Sequence, residues 1–92
     1  MQVAVRYLAQ VKQAGGSAGE EVEVPASCSV EELLAHLAER HGAGLRDLLL
    51  DPAGKRQPTI LVFVGDVQVA PGESAQLRDG DVVTLLSPMA GG

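Results

Sequence analysis

Ninety-two residues with 12 acidic and 7 basic side chains, a formal charge of −5, make one small domain with a modest core and no room for a separate cofactor domain. No run of Lys or Arg is present to neutralise a line of phosphates, which argues against direct nucleic-acid binding and for a basic protein partner. Hydrophobic residues make up 46% of the chain but Phe63 and Tyr7 are the only aromatic ones, so the core must be built mainly from Val, Leu and Ala. The longest apolar run, residues 60–64, is far shorter than the roughly 20 residues of a membrane helix. The opening MQVAVRY has no basic leader, and the single Cys28 has no disulfide partner. Together these predict a cytoplasmic protein with no membrane association.

In chain order, Val3, Val5 and Tyr7 alternate with Ala4 and Arg6 over residues 2–8, the two-residue period of a strand with one buried face. A loop through Gly15, Gly16, Ser17 and Gly19 follows. Glu21 and Glu23 then alternate with Val22 and Val24 until Pro25 stops pairing, which predicts an N-terminal hairpin. Residues 29–32 spell the S-x-x-E capping box, in which side chains at both ends satisfy free amides of a first helical turn. Val30, Leu33, Leu34, Leu37 and Ala38 recur at three- and four-residue spacing, and Gly42 supplies a left-handed stop. The central helix is therefore predicted over Val30–His41, with Glu31, Glu32, Glu39 and Arg40 facing water.

A shorter helical turn over residues 45–50 ends at the breakers Asp51, Pro52, Ala53 and Gly54. Residues 59–64 read as a buried strand, and Gly65-Asp66 turns it into a short strand over 67–69. Pro71-Gly72 and Asp79-Gly80 are further turns, and the apolar stretch 82–86 makes the last strand. Nothing in residues 87–92 is suited to hold them in a sheet. This order predicts an α+β fold of the β-grasp type, one main helix packed across a mixed sheet whose first and last long strands are central neighbours. The expected organisation is one domain over residues 1–86 and a flexible tail over 87–92.

The ending from Asp79-Gly80-Asp81 through 82–86 to Ser87-Pro88-Met89-Ala90-Gly91-Gly92 resembles the MoaD/ThiS family of ubiquitin-like sulfur carriers. In that family a D-G-D turn leads into the last strand and a proline-containing tail stops at two glycines. The opening strand ending Tyr7-Leu8-Ala9-Gln10, the helix start at Ser29 and the Val64-Gly65-Asp66 turn fall in the family's order, so the likeness spans the chain. A terminal Gly-Gly alone is a weak signal; after D-G-D and an apolar strand it is strong.

The resemblance implies a protein co-substrate, not an enzyme. A ubiquitin-activating-like adenylyltransferase would use ATP to adenylate the Gly92 carboxylate, and sulfur from a sulfurtransferase or other source would then replace AMP, leaving a thiocarboxylate. The carrier binds no cofactor itself; ATP belongs to the activating partner. Lacking Cβ atoms, Gly91 and Gly92 suit a narrow channel, and residues 87–92 span at most roughly 20 Å when extended. The sulfur acceptor stays open among enzymes of molybdopterin, cysteine, thiamine-like or tRNA sulfur chemistry. The segment 50–55 resembles the cysteine-forming and archaeal modifier branches more than a dedicated molybdopterin synthase small subunit. A ubiquitin-like modifier joined through Gly92 to substrate lysines is the alternative.

Strand parity places the docking face. With Val3, Val5 and Tyr7 towards the helix, Ala4, Arg6 and Leu8 lie on the opposite side. By the same rule Val83 and Leu85 point in and Val82, Thr84 and Leu86 point out. Leu8 and Leu86 are thus expected to form a partner patch beside Pro88, Met89 and Ala90 of the tail. Over 59–64 both parities are apolar, so the sequence leaves open whether Ile60, Val62 and Val64 or Leu61 and Phe63 join it. Family members also dock near the position of Gln68, where this chain is polar.

Other motifs favour plain readings. Cys28 precedes a helix cap with no activating base and reads as a bystander. His36 and His41 lack the i, i+4 spacing of a paired metal site and read as surface or boundary residues, and one cysteine is too few for an iron–sulfur ferredoxin. The run Gly15-Gly16-Ser17-Ala18-Gly19 has no Walker lysine and reads as a loop. Glu20, Glu21, Glu23, Glu31 and Glu32 read as a solvated acidic face.

Overall fold

The computed structural model describes residues 1–73 and 75–87. Among the described residues, five strands and three helices follow one another as β1 (Gln2–Ala9), α1 (Gln10–Gly15), β2 (Gly19–Glu23), α2 (Val30–His41), α3 (Ala43–Leu49), β3 (Leu61–Val64), β4 (Val67–Val69) and β5 (Val82–Ser87). The sheet order is β2-β1-β5-β3-β4. β1 and β5 run parallel at the centre, and the other neighbouring pairs are antiparallel. This is the ubiquitin-like β-grasp arrangement that the element order predicts, including the central pairing of the first and last long strands.

Alternation builds the sheet's inner face. Val3, Val5 and Tyr7 of β1, Val22 of β2, Val62 of β3 and Val83 and Leu85 of β5 are buried, and α2 lays Val30, Leu33, Leu34, Leu37 and Ala38 against the same core. Each fully buried Leu contributes roughly 2 kcal/mol of transfer free energy, so the amphipathic stripe holds the helix in place more than its intrinsic propensity does. The capping box is formed: Ser29 Oγ accepts from the Glu32 amide at 3.2 Å, and Glu32 Oε1 accepts from the Ser29 amide at 3.1 Å. Replacing that hydroxyl in Ser29→Ala is expected to lower stability by about 1 kcal/mol, read from the urea midpoint, because one first-turn amide loses its partner. Gly42, at φ 86°, ends α2 and leads directly into α3.

Two local expectations are corrected. The stretch before Gly16 is not all loop, because residues 10–15 form α1, a helix of 6 residues with no side-chain cap and Val11 buried as its anchor. Such a short element carries too few apolar positions to show a helical period. It is entered through Ala9 at φ 56° and closed by Gly16 at φ 77°. The last strand runs one residue beyond Leu86, since Ser87 pairs with Ala9 and is buried. A serine after an apolar run reads as a strand end by composition, but backbone pairing to the full length of β1 draws it into the sheet.

Gly19, the first residue of β2, is required by a close approach. A Cβ there would lie 2.6 Å from the Val5 carbonyl oxygen, an approach that only glycine allows.

Candidate functional site

The register of the three central strands assembles an apolar row on the side of the sheet that α2 leaves uncovered. Leu8 of β1 is paired with Leu86 of β5, and Leu86 in turn with Leu61 of β3. One step along, Arg6, Thr84, Phe63 and Gln68 form the next row, and beyond it Ala4 lies beside Val82. Leu8 is 39% exposed, while Leu61, Phe63, Thr84 and Leu86 are half-buried by one another. The parity left open in β3 is thereby resolved: Ile60 and Val62 are fully buried beneath the sheet, and Leu61 and Phe63 join the open face. Gln68 is Phe63's cross-strand neighbour, so the polar position sits at the rim of the apolar area rather than within it.

The end of β5 adjoins this face. Ser87 follows Leu86 directly, and its pairing with Ala9 fixes the point from which the remaining chain departs. Of the residues expected to act, Leu8 and Leu86 are brought together; Pro88, Met89, Ala90, Gly91 and Gly92 lie outside the described residues.

Sequence reasoning missed a polar cluster at the inner side of the same end of β1. The buried Tyr7 hydroxyl donates to Glu20 Oε2 at 2.6 Å, His41 Nε2 contacts the same oxygen, and Arg40 Nε pairs with Glu20 Oε1 at 3.0 Å. The Tyr7 and His41 rings meet edge to face with centroids 5.9 Å apart. Glu20 therefore does not belong to a solvated acidic face: its side chain is only 17% exposed and ties β1 and β2 to the last turn of α2. Burial would by itself push the Glu20 carboxyl up, but hydrogen bonds from Tyr7 and His41, with the charges of His41 and Arg40, outweigh it and hold the group below its usual range. Burial first, then the Glu20 carboxylate, push the Tyr7 phenol far up, so it stays a donor.

Glu20 thereby ties the stability of the fold to pH. A carboxyl whose folded pKa is depressed gives stability that is fully present above its ordinary value of 4.5 and is lost as pH falls through the lower folded value. Acid denaturation should therefore be steepest between those two values, and Glu20→Gln should flatten this part of the curve while lowering stability at neutral pH. Equal pH slopes for the two proteins would contradict the assignment.

Cys28 is buried, with its thiol pushed up by burial and then by the Glu32 charge, and its Sγ lies 3.4 Å from the Ser29 carbonyl oxygen. That environment makes it a poor nucleophile, in keeping with the bystander reading. His36 is half-buried, and among the described residues no three His, Cys, Asp or Glu side chains are grouped as a metal site. No helix among the described residues is long and apolar enough to cross a membrane.

Comparison with known proteins gives the same architecture and a family. The molybdopterin synthase sulfur carrier subunit of Chlamydomonas reinhardtii is 29% identical over 92 residues, covering 100% of both chains. The crystal structure of SAMP1 from Haloferax volcanii superposes with a TM-score of 0.85 at 24% identity, covering 100% of each chain, and shows the shared fold. In the Amycolatopsis orientalis BexX/CysO complex, a chain 29% identical superposes with a TM-score of 0.68, covering 98% of this chain and 99% of that one. The ThiS family model matches residues 5–92. With that match spanning nearly the whole sequence, the protein belongs to the ThiS family of small ubiquitin-like sulfur carriers.

Proposed function

We propose that this chain carries sulfur as a thiocarboxylate on Gly92, delivered to a biosynthetic enzyme that docks on the Leu8, Leu61, Leu86 and Phe63 face. The observation that carries the reading is the position of Ser87: the last paired residue of β5 follows Leu86, so the tail starts at the edge of the apolar row. A partner seated on that face would have the chain's end within reach of its active site, since five further residues extend at most about 17 Å.

In the proposed chemistry the Gly92 carboxylate attacks the α-phosphorus of ATP on an activating enzyme, and pyrophosphate leaves. A sulfide-level sulfur then attacks the acyl carbon and AMP leaves, giving a thiocarboxylate. Activation is needed because a free carboxylate is a poor electrophile, whereas the mixed anhydride has AMP as its leaving group. Binding to the acceptor enzyme turns sulfur transfer into reaction of a pre-oriented pair. The chain supplies recognition and a reactive end, and its partners supply catalysis. The relatives named as a molybdopterin synthase subunit and found in a BexX/CysO complex support a role alongside partner enzymes. The reactions assigned to those partners, and the cytoplasm as the compartment where they meet, belong to this proposal.

Isotope exchange between pyrophosphate and ATP tests the first step. An adenylating enzyme from the same cell should catalyse exchange only when the full chain is added; exchange that does not depend on the chain, or no exchange with it, counts against the proposal. Isopeptide-linked conjugates with no thiocarboxylate would identify a protein modifier in its place.

A further inference from the structure

β2 forms one margin of the sheet, with β1 on its inner side and, among the described residues, no strand on its outer side. Its hydrogen-bonding phase is fixed at both ends of the hairpin. Met1 and Val24 exchange backbone bonds of 2.8 Å in each direction, and the Tyr7 amide donates to the Ala18 carbonyl at 2.9 Å. Antiparallel alternation then turns the N–H and C=O groups of Glu20 and Val22 towards β1 and those of Glu21 and Glu23 outwards. Both outward-facing residues are exposed.

Beyond the end of this edge a cleft of about 310 Å³ opens between the strand's exit and α2. Val24 and Cys28 are buried in its lining, and the exposed Glu32 and Glu39 stand beside them. Every ion pair among the described residues involves Glu20, so Glu21, Glu23, Glu32 and Glu39 have none there. Charge decides which occupant fits. A second copy of the chain would bring its own Glu21 and Glu23 against these, a like-charge pairing that disfavours edge-to-edge association.

We propose that the outer edge of β2 and the adjoining cleft bind an extended, basic segment of a partner protein. The segment adds as a sixth strand, exchanging backbone hydrogen bonds with Glu21 and Glu23. It places Lys or Arg side chains near the carboxylates and one apolar side chain over Val24 and Cys28. Main-chain bonds give this mode its affinity, and the side chains give it selectivity. The site is separate from the Leu8, Leu61 and Leu86 row and does not require Gly92.

The test is an NMR titration of the full 15N-labelled chain with acetyl-Val-Lys-Val-Lys-Val-amide. The expected result is shifted resonances for the amides of Glu21, Glu23 and Val24, with binding weakened at least about tenfold by N-methylation of every peptide nitrogen or by Glu in place of Lys. E21K/E23K, whose fold the same spectra report, should reverse the preference and take the Glu peptide. Equal binding of the methylated and unmethylated peptides, shifts confined to the Leu8, Leu61 and Leu86 face, or an unchanged preference in the double variant would each overturn the proposal. A chain shortened to residue 87 should bind the Lys peptide as the full chain does, which separates this inference from the proposed sulfur chemistry.

Discussion

Removal of Gly91 and Gly92 is expected to leave a folded protein that transfers no sulfur above background. The core lies within residues 3–85, and the last backbone pairing among the described residues is at Ser87, so no identified stabilising contact is lost. On the proposed function, what the shortened chain loses is the reacting group in its required place. Its new terminal carboxylate belongs to Ala90, two residues nearer the body and bearing a Cβ where the proposed channel requires glycine. A displacement of that size defeats in-line attack on a nucleotide held by another protein, and positioning is the main contribution of such a bound complex. Thermal denaturation should show an unchanged midpoint while ATP–pyrophosphate exchange and sulfur transfer both vanish. Retained transfer by the shortened chain would show that the working group lies elsewhere.

Leu86→Asp should have the second-largest effect, on docking rather than folding. Leu86 stands between Leu8 and Leu61 on the strand that leads into the tail, so a partner covering this face buries it near the centre of the contact. An aspartate there forfeits the apolar contact and leaves a charge to be desolvated without a partner. The expected loss is about 2–4 kcal/mol, or roughly thirty- to a thousandfold in affinity for the acceptor enzyme. Leu86 is half-buried and not part of the core, so the fold should survive at a cost of about 1 kcal/mol. Val67→Asp is the matching control: Val67 is 67% exposed and has the parity of Val69, which faces the core side of the sheet, so the same charge there should leave docking unchanged.

Much of the fold was legible because its core obeys simple periods. The alternation of Val3, Val5 and Tyr7 and the helical spacing of Leu33, Leu34 and Leu37 each identify a buried face with no knowledge of the partner element. The same parity rule placed Leu8 and Leu86 on the open side. It failed in β3, where Leu61 and Phe63 are as apolar as Ile60 and Val62, and only the fold distinguishes a face covered by α2 from one left open. α1 escaped notice because one anchor, Val11, makes no period. The Glu20 cluster was hidden for another reason: its hydrogen-bond partners lie 13 and 21 residues away along the chain, and a carboxylate among carboxylates looks solvated until the fold brings a tyrosine and a histidine to it.

Intact mass with C-terminal fragmentation, on protein isolated from its native cell and tagged only at the N-terminus, tests directly for a thiocarboxylate on Gly92. A fraction heavier by one sulfur-for-oxygen exchange is expected, localised to Gly92 and lost on incubation with the acceptor enzyme. A native chain that continues past Gly92 without processing, or a Gly92 carboxylate that remains unmodified while sulfur transfer proceeds, would contradict it.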